Sequence, residues 1–368
     1  MKIFARKILN SRNQETIEIN YNGFTTSATL GISTGKYEAK PFLKKIDEEI
    51  KDFNKKANDL AKFNVNKFED FEKIENYLRR FGANTIIALE LAILRSNNYK
   101  FFNGNRLPKP LGNCVGGGLH FKGKSTLIQE FLVIDNNKNN FVDKAFNNMK
   151  AHRLIHEMLE KEDKHFIKKL NDEGAWVTSL DDEKVLNLMR EVCNKLKLDL
   201  GMDVASSHFY NGQFYVYNNK KFSKNEQIKW IKKLIDNYDL CYVEDPLHED
   251  DFSGFKELNN GNCLICGDDL IATNLERLKK AIKEKSINCV IIKPNQIGSI
   301  IEVKKVVELA KENNITTVIS HRSGETMDNS ISHLAVKLEI PIIKCGIFGK
   351  ERESKIKELI KIEKSSIS

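Results

Sequence analysis

The sequence predicts an α/β protein in which a closed barrel of strands and helices follows a smaller α+β domain. In the C-terminal part, short apolar runs that each end in a polar residue alternate with helical stretches, at a spacing of about 25 residues. This alternation is typical of parallel βαβ units. Six units are visible, from KLDLGMD to PIIKCG, and the chain upstream has room for two more strands. Without a Gly-x-Gly-x-x-Gly motif to mark a dinucleotide fold, an eight-stranded barrel is favoured over an open sheet.

The N-terminal third of the chain predicts the smaller domain. Two β-like runs, ETIEINYN and FTTSATL, flank the turn-forming pair Asn22-Gly23, and residues 43–99 show helical periodicity. A Gly-bounded loop, LGISTG, has the glycine content of a lid. The Pro- and Gly-rich segment PKPLGNCVGGGLHFKGK then predicts a division between an α+β capping domain, residues 1–109, and the barrel domain, residues 110–368.

Composition and charge exclude several classes of protein. The chain has 368 residues and a net charge of +8, but its Lys and Glu residues alternate along helices, which predicts solvated helix faces and no nucleic-acid partner. No apolar run approaches the ~20 residues that span a membrane, and the N-terminus lacks the apolar core of a secretory signal. The seven scattered cysteines indicate reduced thiols in a cytoplasmic protein.

Each of the six C-terminal runs ends in a chemically capable residue. In chain order these residues are Asp203, Glu244, Asp268, Lys293, His321 and Lys344. The C-terminal ends of barrel strands converge on one mouth, where active sites of such barrels lie. One charged strand end is commonplace, but six in succession predict a functional site.

The carboxylates among these residues predict a metal site. Asp203, Glu244 and Asp268 follow three consecutive strands and would repel one another unless a cation lay between them. A set of oxygen ligands points to a hard divalent ion, Mg²⁺ first. Ion pairs with barrel lysines remain an alternative. A lysine close to a metal ion is pushed toward its neutral form, which suits a general base.

Several segments resemble the enolase family in order and in spacing. They include GMDVASSHFY, YVEDPLHEDDFSGF, CGDDLIATN, IIKPNQIGS and VISHRSGET, and upstream FARKILNSR, GISTGKYEA, FGANTIIALELA and LNDEGAW. The resemblance covers nearly the whole chain. It implies a TIM-type barrel of the enolase kind, whose first strands break the simple βα alternation. It also implies the Mg²⁺-dependent, reversible dehydration of 2-phosphoglycerate to phosphoenolpyruvate, a step of glycolysis and gluconeogenesis.

The same resemblance implies roles for individual residues. Lys293 is expected to be the base, and Glu173 the acid that protonates the departing hydroxyl. Two Mg²⁺ ions are expected, the second arriving with the substrate; their ligands are Asp203, Glu244 and Asp268 for the first and Ser33, on the lid, for the second. The residues expected to contact the small phosphorylated carboxylate are His120, Gln129, Glu130, His321, Arg322, Ser323 and Lys344.

The lid loop and the histidines outside these motifs leave other hypotheses open. Leu30 and Ile32 stand where the family has small residues, so a relative with the same metal and base that acts on a different carboxylate or phosphorylated acid is an alternative. A non-catalytic binding protein is disfavoured because no expected catalytic residue is missing. His152 and His156, four residues apart, are expected on a surface helix. The family resemblance also predicts a homodimer or a higher homo-oligomer.

Overall fold

The N-terminal domain is a three-stranded sheet covered by helices. A computed structural model describes residues 2–32, 35–120, 123, 125–217 and 220–367. The first elements are β1 (Ile3–Leu9), β2 (Glu15–Tyr21), β3 (Phe24–Ser27), α1 (Ile46–Leu60), α2 (Phe71–Leu78) and α3 (Ala83–Ser96). The strands form an antiparallel meander. Asn22 and Gly23 have φ of 54° and 90°, the left-handed conformation that a tight hairpin turn between twisted strands requires.

Alternation along β2 buries one face of this sheet. Ile17, Ile19 and Tyr21 are buried, and α3 packs against this strand. The helix itself is apolar on nearly every side, and all but one of its residues from Ala83 to Leu94 are buried. A helix that is apolar all round needs cover on both sides, so α3 lies between the sheet and the barrel.

The barrel contains eight strands. They are β4 (Lys109–Gly116), β5 (Glu130–Ile134), β6 (Asp199–Asp203), β9 (Leu240–Glu244), β10 (Leu264–Gly267), β11 (Cys289–Ile292), β12 (Thr316–Ser320) and β13 (Ile342–Lys344). They close in this order, and β13 pairs with β4. The first connections differ from the rest: β5 is antiparallel to both β4 and β6. The predicted barrel, including its break in βα alternation, is confirmed.

Helices surround the barrel. They are α4 (Phe141–Glu162), α5 (Asp182–Leu196), α6 (Lys224–Tyr238), α7 (Phe252–Leu258), α8 (Leu275–Glu284), α9 (Pro294–Ile297), α10 (Ile300–Glu312), α11 (Ser330–Lys337) and α12 (Lys350–Ile367). A small hairpin, β7 (Tyr215–Tyr217) and β8 (Lys220–Phe222), follows β6. Among the residues described, no helix is long and apolar enough to cross a membrane.

The two parts of the chain touch closely near α9. Gly298 has a φ of 68°, and a Cβ there would come within 2.5 Å of the Ala83 Cα atom, so only glycine allows this approach. Close by, the carboxylate of Glu90 accepts a hydrogen bond of 2.9 Å from the backbone N–H of Ile300. We retain as a proposal the division into residues 1–109 and 110–368; the first barrel strand begins at Lys109.

Candidate active site

The six predicted strand-end residues lie at one mouth of the barrel. Asp203, Glu244 and Lys344 are the last residues of β6, β9 and β13, and Asp268, Lys293 and His321 directly follow β10, β11 and β12. All of these strands are parallel, so their C-terminal ends meet at the same side. Five of the six line one cavity, whereas Glu244 lies buried beside it.

Glu130 reaches the same mouth by a different route. It is the first residue of β5, and because β5 is antiparallel, its start lies beside the ends of its neighbours. Glu130 pairs with Gly116 of β4 and with Asp203 of β6 in the strand register. The preceding Gln129 donates a hydrogen bond of 3.2 Å from its amide to Asp203. A search of the sequence for polar residues at the C-terminal ends of strands would therefore miss Glu130.

Lys344 is surrounded by carboxylates. Its Nζ atom lies 2.6 Å from Glu130, 2.9 Å from Asp203 and 2.7 Å from Glu244. Burial alone would lower the pKa of Lys344, but the charges of Asp203, Glu130 and Glu244 outweigh burial and raise the pKa well above its usual value. Lys344 is therefore a fixed positive charge at the floor of the site.

Lys293 contacts a single carboxylate, that of Asp268. Burial acts to lower the pKa of Lys293, yet the charge of Asp268 outweighs it and the pKa is raised. Burial likewise acts to raise the pKa of Asp268, and Lys293 reverses that effect. Gln296 holds the other carboxylate oxygen of Asp268 through a hydrogen bond of 3.0 Å. Lys293 is thus held as an ammonium group by the charges of the protein. It would become neutral more readily if another cation bound Asp268 and so weakened this ion pair.

Glu173 lies in a second cluster of titratable groups, which touches Lys344 through Glu130. Ligand atoms of Glu130, Glu173 and His321 lie within 4.8 Å of one another, and all three residues are buried. Burial raises the pKa of Glu130 to about 7, with Lys344 opposing the rise and Glu173 reinforcing it. Burial also lowers the pKa of His321 well below its usual value, so this imidazole is neutral. The cluster can hold a proton near neutral pH.

The loop residue His120 packs over Glu173. Its Nδ1 atom lies 2.9 Å from Asp172 and 3.8 Å from Glu173, and burial lowers its pKa to about 4. Arg12, from the N-terminal domain, makes an ion pair with the other oxygen of Asp172. His120, whose role is predicted only by resemblance, therefore lies at the site, where Asp172 holds it.

Arg322 and Ser323 lie where the N-terminal domain meets the mouth. The guanidinium group of Arg322 binds both carboxylate oxygens of Glu38, at 2.8 and 3.1 Å. Ser323 accepts a hydrogen bond of 2.8 Å at its hydroxyl from the backbone N–H of Ile32. A Cβ at Gly31 would overlap the guanidinium group, so glycine allows the loop to approach Arg322. This corner offers the donors that a phosphate binds.

The described part of the chain brings together three groups of possible metal ligands. They are Asp245 with Asp268 and Asp269, Glu130 with Glu173 and His321, and the exposed-loop group His248, Glu249 and Asp250. The predicted trio Asp203, Glu244 and Asp268 is not one of these groups, because Lys344 lies between Asp203 and Glu244. The trio is nevertheless close enough to interact. Burial and then the charges of Asp203 and Asp268 raise the pKa of Glu244 well above its usual value.

Excess negative charge among buried oxygen ligands fits a divalent cation. Burial, and then the charge of Asp268, raise the pKa of Asp269 to about 8, while Lys293 opposes the rise. Among the described residues, Asp245, Asp268 and Asp269 offer buried carboxylate oxygens within 4.8 Å of one another, as such an ion would need. The carboxylates of the predicted trio form ion pairs with Lys344 and Lys293, so the trio as metal ligands stays a prediction. The other predicted metal ligand, Ser33, lies outside the described residues.

Sequence reasoning missed several residues of the site. Asp245 accepts hydrogen bonds of 3.0 and 2.8 Å from the backbone N–H groups of Asp268 and Asp269, and so orients the loop that carries Asp268, a predicted metal ligand. Its signal was the acidic doublet Glu244-Asp245, which begins at the last residue of β9. Glu38 gave no such signal, since its partner Arg322 is 284 residues away. The prediction that His152 lies on a surface helix is wrong: His152 is on α4 but buried.

Comparisons with known proteins agree with this architecture. A family profile described as "Enolase, C-terminal TIM barrel domain" matches residues 105–367. The enolase of Methanothermobacter thermautotrophicus is 38% identical over 397 aligned positions, covering 98% of this chain and 95% of that protein. The enolase of Methanosphaera stadtmanae is 39% identical, covering 99% and 96%. That of Archaeoglobus fulgidus is 37% identical, covering 98% and 96%. The chain therefore belongs to the enolase family, a family of carbon–oxygen lyases whose catalytic domain is a TIM barrel.

Proposed function

We propose that this protein catalyses the Mg²⁺-dependent, reversible dehydration of 2-phosphoglycerate to phosphoenolpyruvate. The observation that carries the proposal is the arrangement of one cavity. Lys293, paired with Asp268, and Glu173, grouped with Glu130 and His321, line the same cavity. A base and an acid that can both reach one substrate are what an elimination needs.

In this mechanism, Lys293 removes the proton from the carbon next to the carboxylate. The carbon–hydrogen bond breaks and its proton passes to Lys293 Nζ. The carbon–oxygen bond to the β-hydroxyl then breaks, and Glu173 supplies the proton with which that hydroxyl leaves as water. A hydroxide is a poor leaving group, so the second step depends on a protonated acid. Glu130, whose pKa is about 7, keeps a proton available in this cluster at neutral pH.

The remaining residues bind the anionic ends of the substrate. Lys344 is the fixed cation that would face the substrate carboxylate, with Gln129 and His120 beside it. Arg322 and Ser323 would hold the phosphate. When bound, Mg²⁺ at Asp203, Glu244 and Asp268 supplies positive charge that stabilises the carboxylate as it gains a second negative charge. We include in the proposal two ions per site, with Ser33 as the ligand to the second.

Location and assembly are part of the same proposal. The family relationship supports a homodimer or higher homo-oligomer that works in the cytoplasm on a small-molecule substrate. Sedimentation of the purified protein tests the assembly: a single species at the mass of one 42.3 kDa chain would contradict it.

The experiment is a direct assay. Purified protein is mixed with 2-phosphoglycerate and Mg²⁺, and the ultraviolet absorbance of the enol phosphate product is followed, with and without excess chelator. The proposal expects a rise in absorbance that the chelator abolishes. No rise from folded protein with Mg²⁺ would contradict it.

The contact between Arg322 and Glu38 supports a second candidate function. Glu38 accepts hydrogen bonds from both terminal nitrogens of the Arg322 guanidinium group. Leu30 and Ile32 also give the lid bulkier side chains than those of the family pattern. A different carboxylate substrate, turned over with the same metal and base, is consistent with such a corner. A panel of 2-hydroxy and 3-hydroxy acids, with and without phosphate, separates the candidates: turnover that does not require the phosphate favours the second.

A further inference from the structure

The acid Glu173 lies on a loop between α4 and α5, outside any helix or strand. The backbone of Trp176, three residues later, pairs with Cys114 and Gly116 of β4, so the position of Glu173 itself depends on how the turn before Trp176 is held. The side chain of Asn171 accepts hydrogen bonds of 3.0 Å from the backbone N–H groups of both Glu173 and Ala175. These bonds shape the turn, but they lie within it. They do not fix the turn relative to the barrel.

His152 supplies a contact from outside the turn. Its Nε2 atom lies 2.9 Å from the carbonyl oxygen of Gly174, the residue directly after Glu173. A carbonyl oxygen only accepts hydrogen bonds, so Nε2 carries the proton and donates it. Burial lowers the pKa of His152 to about 4, so the ring is neutral at physiological pH. This histidine has no direct contact with the cavity in which the chemistry is proposed.

Aromatic rings on both sides fix the imidazole. The ring of His152 is stacked against Trp176, with centroids 5.1 Å apart, and against Phe348, at 5.9 Å. Trp176 donates a hydrogen bond of 3.0 Å from Nε1 back to the carbonyl of His152. Gly174 has a φ of 79°, and a Cβ there would overlap the carbonyl oxygen of Phe348. Helix α4, the loop and the segment before α12 therefore hold one another in a single arrangement.

We propose that His152 is a positioning residue for Glu173: by donating a hydrogen bond to the Gly174 carbonyl, it holds the acid's carboxyl group beside the leaving hydroxyl. The inference rests on the proposed function and deepens it. His156, one turn along the same helix, provides a natural contrast. It also packs on Trp176, with ring centroids 4.3 Å apart, but its Nε2 atom lies 3.9 Å from the carboxylate of Glu160 on the same helix.

The test uses the two separable halves of the reaction. Removal of the α-proton by Lys293 is measured as exchange of that hydrogen of 2-phosphoglycerate with deuterated solvent, and dehydration is measured by ultraviolet absorbance. Exchange needs the base alone, whereas dehydration also needs the acid. His152→Phe keeps a stacked ring but removes the donor. A loop displacement of about 1 Å can cost on the order of 100-fold in rate, so we expect dehydration to fall about tenfold or more and exchange to stay within about twofold.

Two further variants keep the result interpretable. His152→Gln retains an N–H donor near the position of Nε2 and is expected to restore much of the dehydration rate. His156→Phe alters the same aromatic cluster without touching the loop carbonyl and is expected to leave both rates unchanged. Equal melting temperatures for the variants establish that each one is folded. If His152→Phe unfolds, His152→Leu, which also lacks the donor, carries the test through its ratio of dehydration to exchange: a ratio about tenfold or more below that of the wild type supports the proposal, and an unchanged ratio overturns it.

The outcomes separate this inference from the proposed function. Wild-type protein that neither exchanges nor dehydrates 2-phosphoglycerate overturns the proposed function, and the role of His152 with it. An active wild type with parallel losses of exchange and dehydration in His152→Phe, or with no loss, overturns the role of His152 alone. A selective loss of dehydration supports it.

Discussion

At the scale of single residues, the two lysines of the mouth have different surroundings. Lys344 touches three carboxylates, whereas Lys293 touches Asp268 alone. An ammonium group held by three anions gives up its proton only with difficulty. One held by a single anion becomes neutral more readily once that anion binds something else. This difference, which strand position alone does not reveal, supports Lys293 as the base.

Replacing Lys293 therefore tests the base directly. We expect Lys293→Ala to lower both hydrogen exchange and dehydration of 2-phosphoglycerate by about 100- to 10,000-fold, the usual contribution of a general base. Both rates are measured as described above. Lys305→Ala, which removes an exposed lysine paired with Glu302 on α10, is the control and should have no effect. Normal exchange in Lys293→Ala would show that another group is the base.

The corner around Arg322 yields a prediction about substrate binding. Arg322→Lys keeps the charge but cannot form the two parallel hydrogen bonds of a guanidinium group. Losing one charged hydrogen bond costs about 1.5–3 kcal/mol, so KM for 2-phosphoglycerate should rise about 10- to 150-fold. Steady-state kinetics measure the change, with Arg153→Lys, on the exposed face of α4, as the control. An unchanged KM would place the phosphate elsewhere.

At the scale of elements, Asp163 ties the end of α4 to the chain that follows Glu173. Its carboxylate accepts hydrogen bonds from the hydroxyl groups of Thr178 and Ser179, both at 2.6 Å, and from the Ser179 N–H at 2.7 Å. Burial alone would raise the pKa of Asp163, but these bonds outweigh it and hold the pKa at about 2. Asp163 thus binds a proton less readily in the folded protein than in the unfolded chain, where the pKa of an aspartate is about 3.9.

The stabilising effect of Asp163 should therefore depend on pH. Because the pKa of Asp163 is lower in the folded state than in the unfolded state, its ionised carboxylate stabilises the fold. This contribution to the free energy of unfolding is fully present above about pH 5 and is lost as the pH falls toward about 2. We expect Asp163→Asn to lower the free energy of unfolding by about 1–3 kcal/mol at pH 7 and by less at pH 3. Urea unfolding at both values measures the difference. The exposed substitution Glu157→Gln serves as control, and an equal loss at both pH values would contradict the prediction.

At the scale of the whole molecule, the site spans both parts of the chain. The N-terminal domain supplies Arg12 to Asp172 and Glu38 to Arg322, and its loop approaches Ser323 through Ile32. The barrel supplies the carboxylates and both lysines. Because the carboxylates proposed as metal ligands come together only when the chain is folded, the folded molecule should gain stability when Mg²⁺ binds.

Melting experiments measure this coupling. A ligand that binds only the folded state stabilises it by about 2.7 kcal/mol when present at 100 times its Kd. We expect Mg²⁺ to raise the melting temperature of the wild type and to raise that of Asp268→Asn much less. Asp236→Asn, an exposed change on α6, should respond like the wild type. A full response in Asp268→Asn would mean that the ion binds elsewhere.

The sequence by itself determined the family, the barrel and the convergence of the strand ends. These depend on local periodicity and on a general rule of parallel barrels, so residues such as Asp203, Lys293 and Lys344 could be found without coordinates. The roles of Glu173 and Glu130 came from resemblance to the family rather than from pattern, because Glu173 lies on a loop and Glu130 begins an antiparallel strand. The roles proposed for all of these residues remain predictions.

Only the tertiary structure decided which groups meet across long stretches of chain. Glu38 pairs with Arg322, and His152 is buried beside the loop that carries Glu173. Lys344, rather than Lys293, is the lysine with the most carboxylate partners. Each of these contacts joins segments that are far apart in the sequence. Periodicity reports which face of an element is apolar, but not what covers it. His152 stands at helical spacing from Asn148 and Ile155 on the buried side of α4, but its polar side chain hides that position from a search for apolar periodicity. Trp176 and Phe348, which follow it in the chain, stack on its ring there.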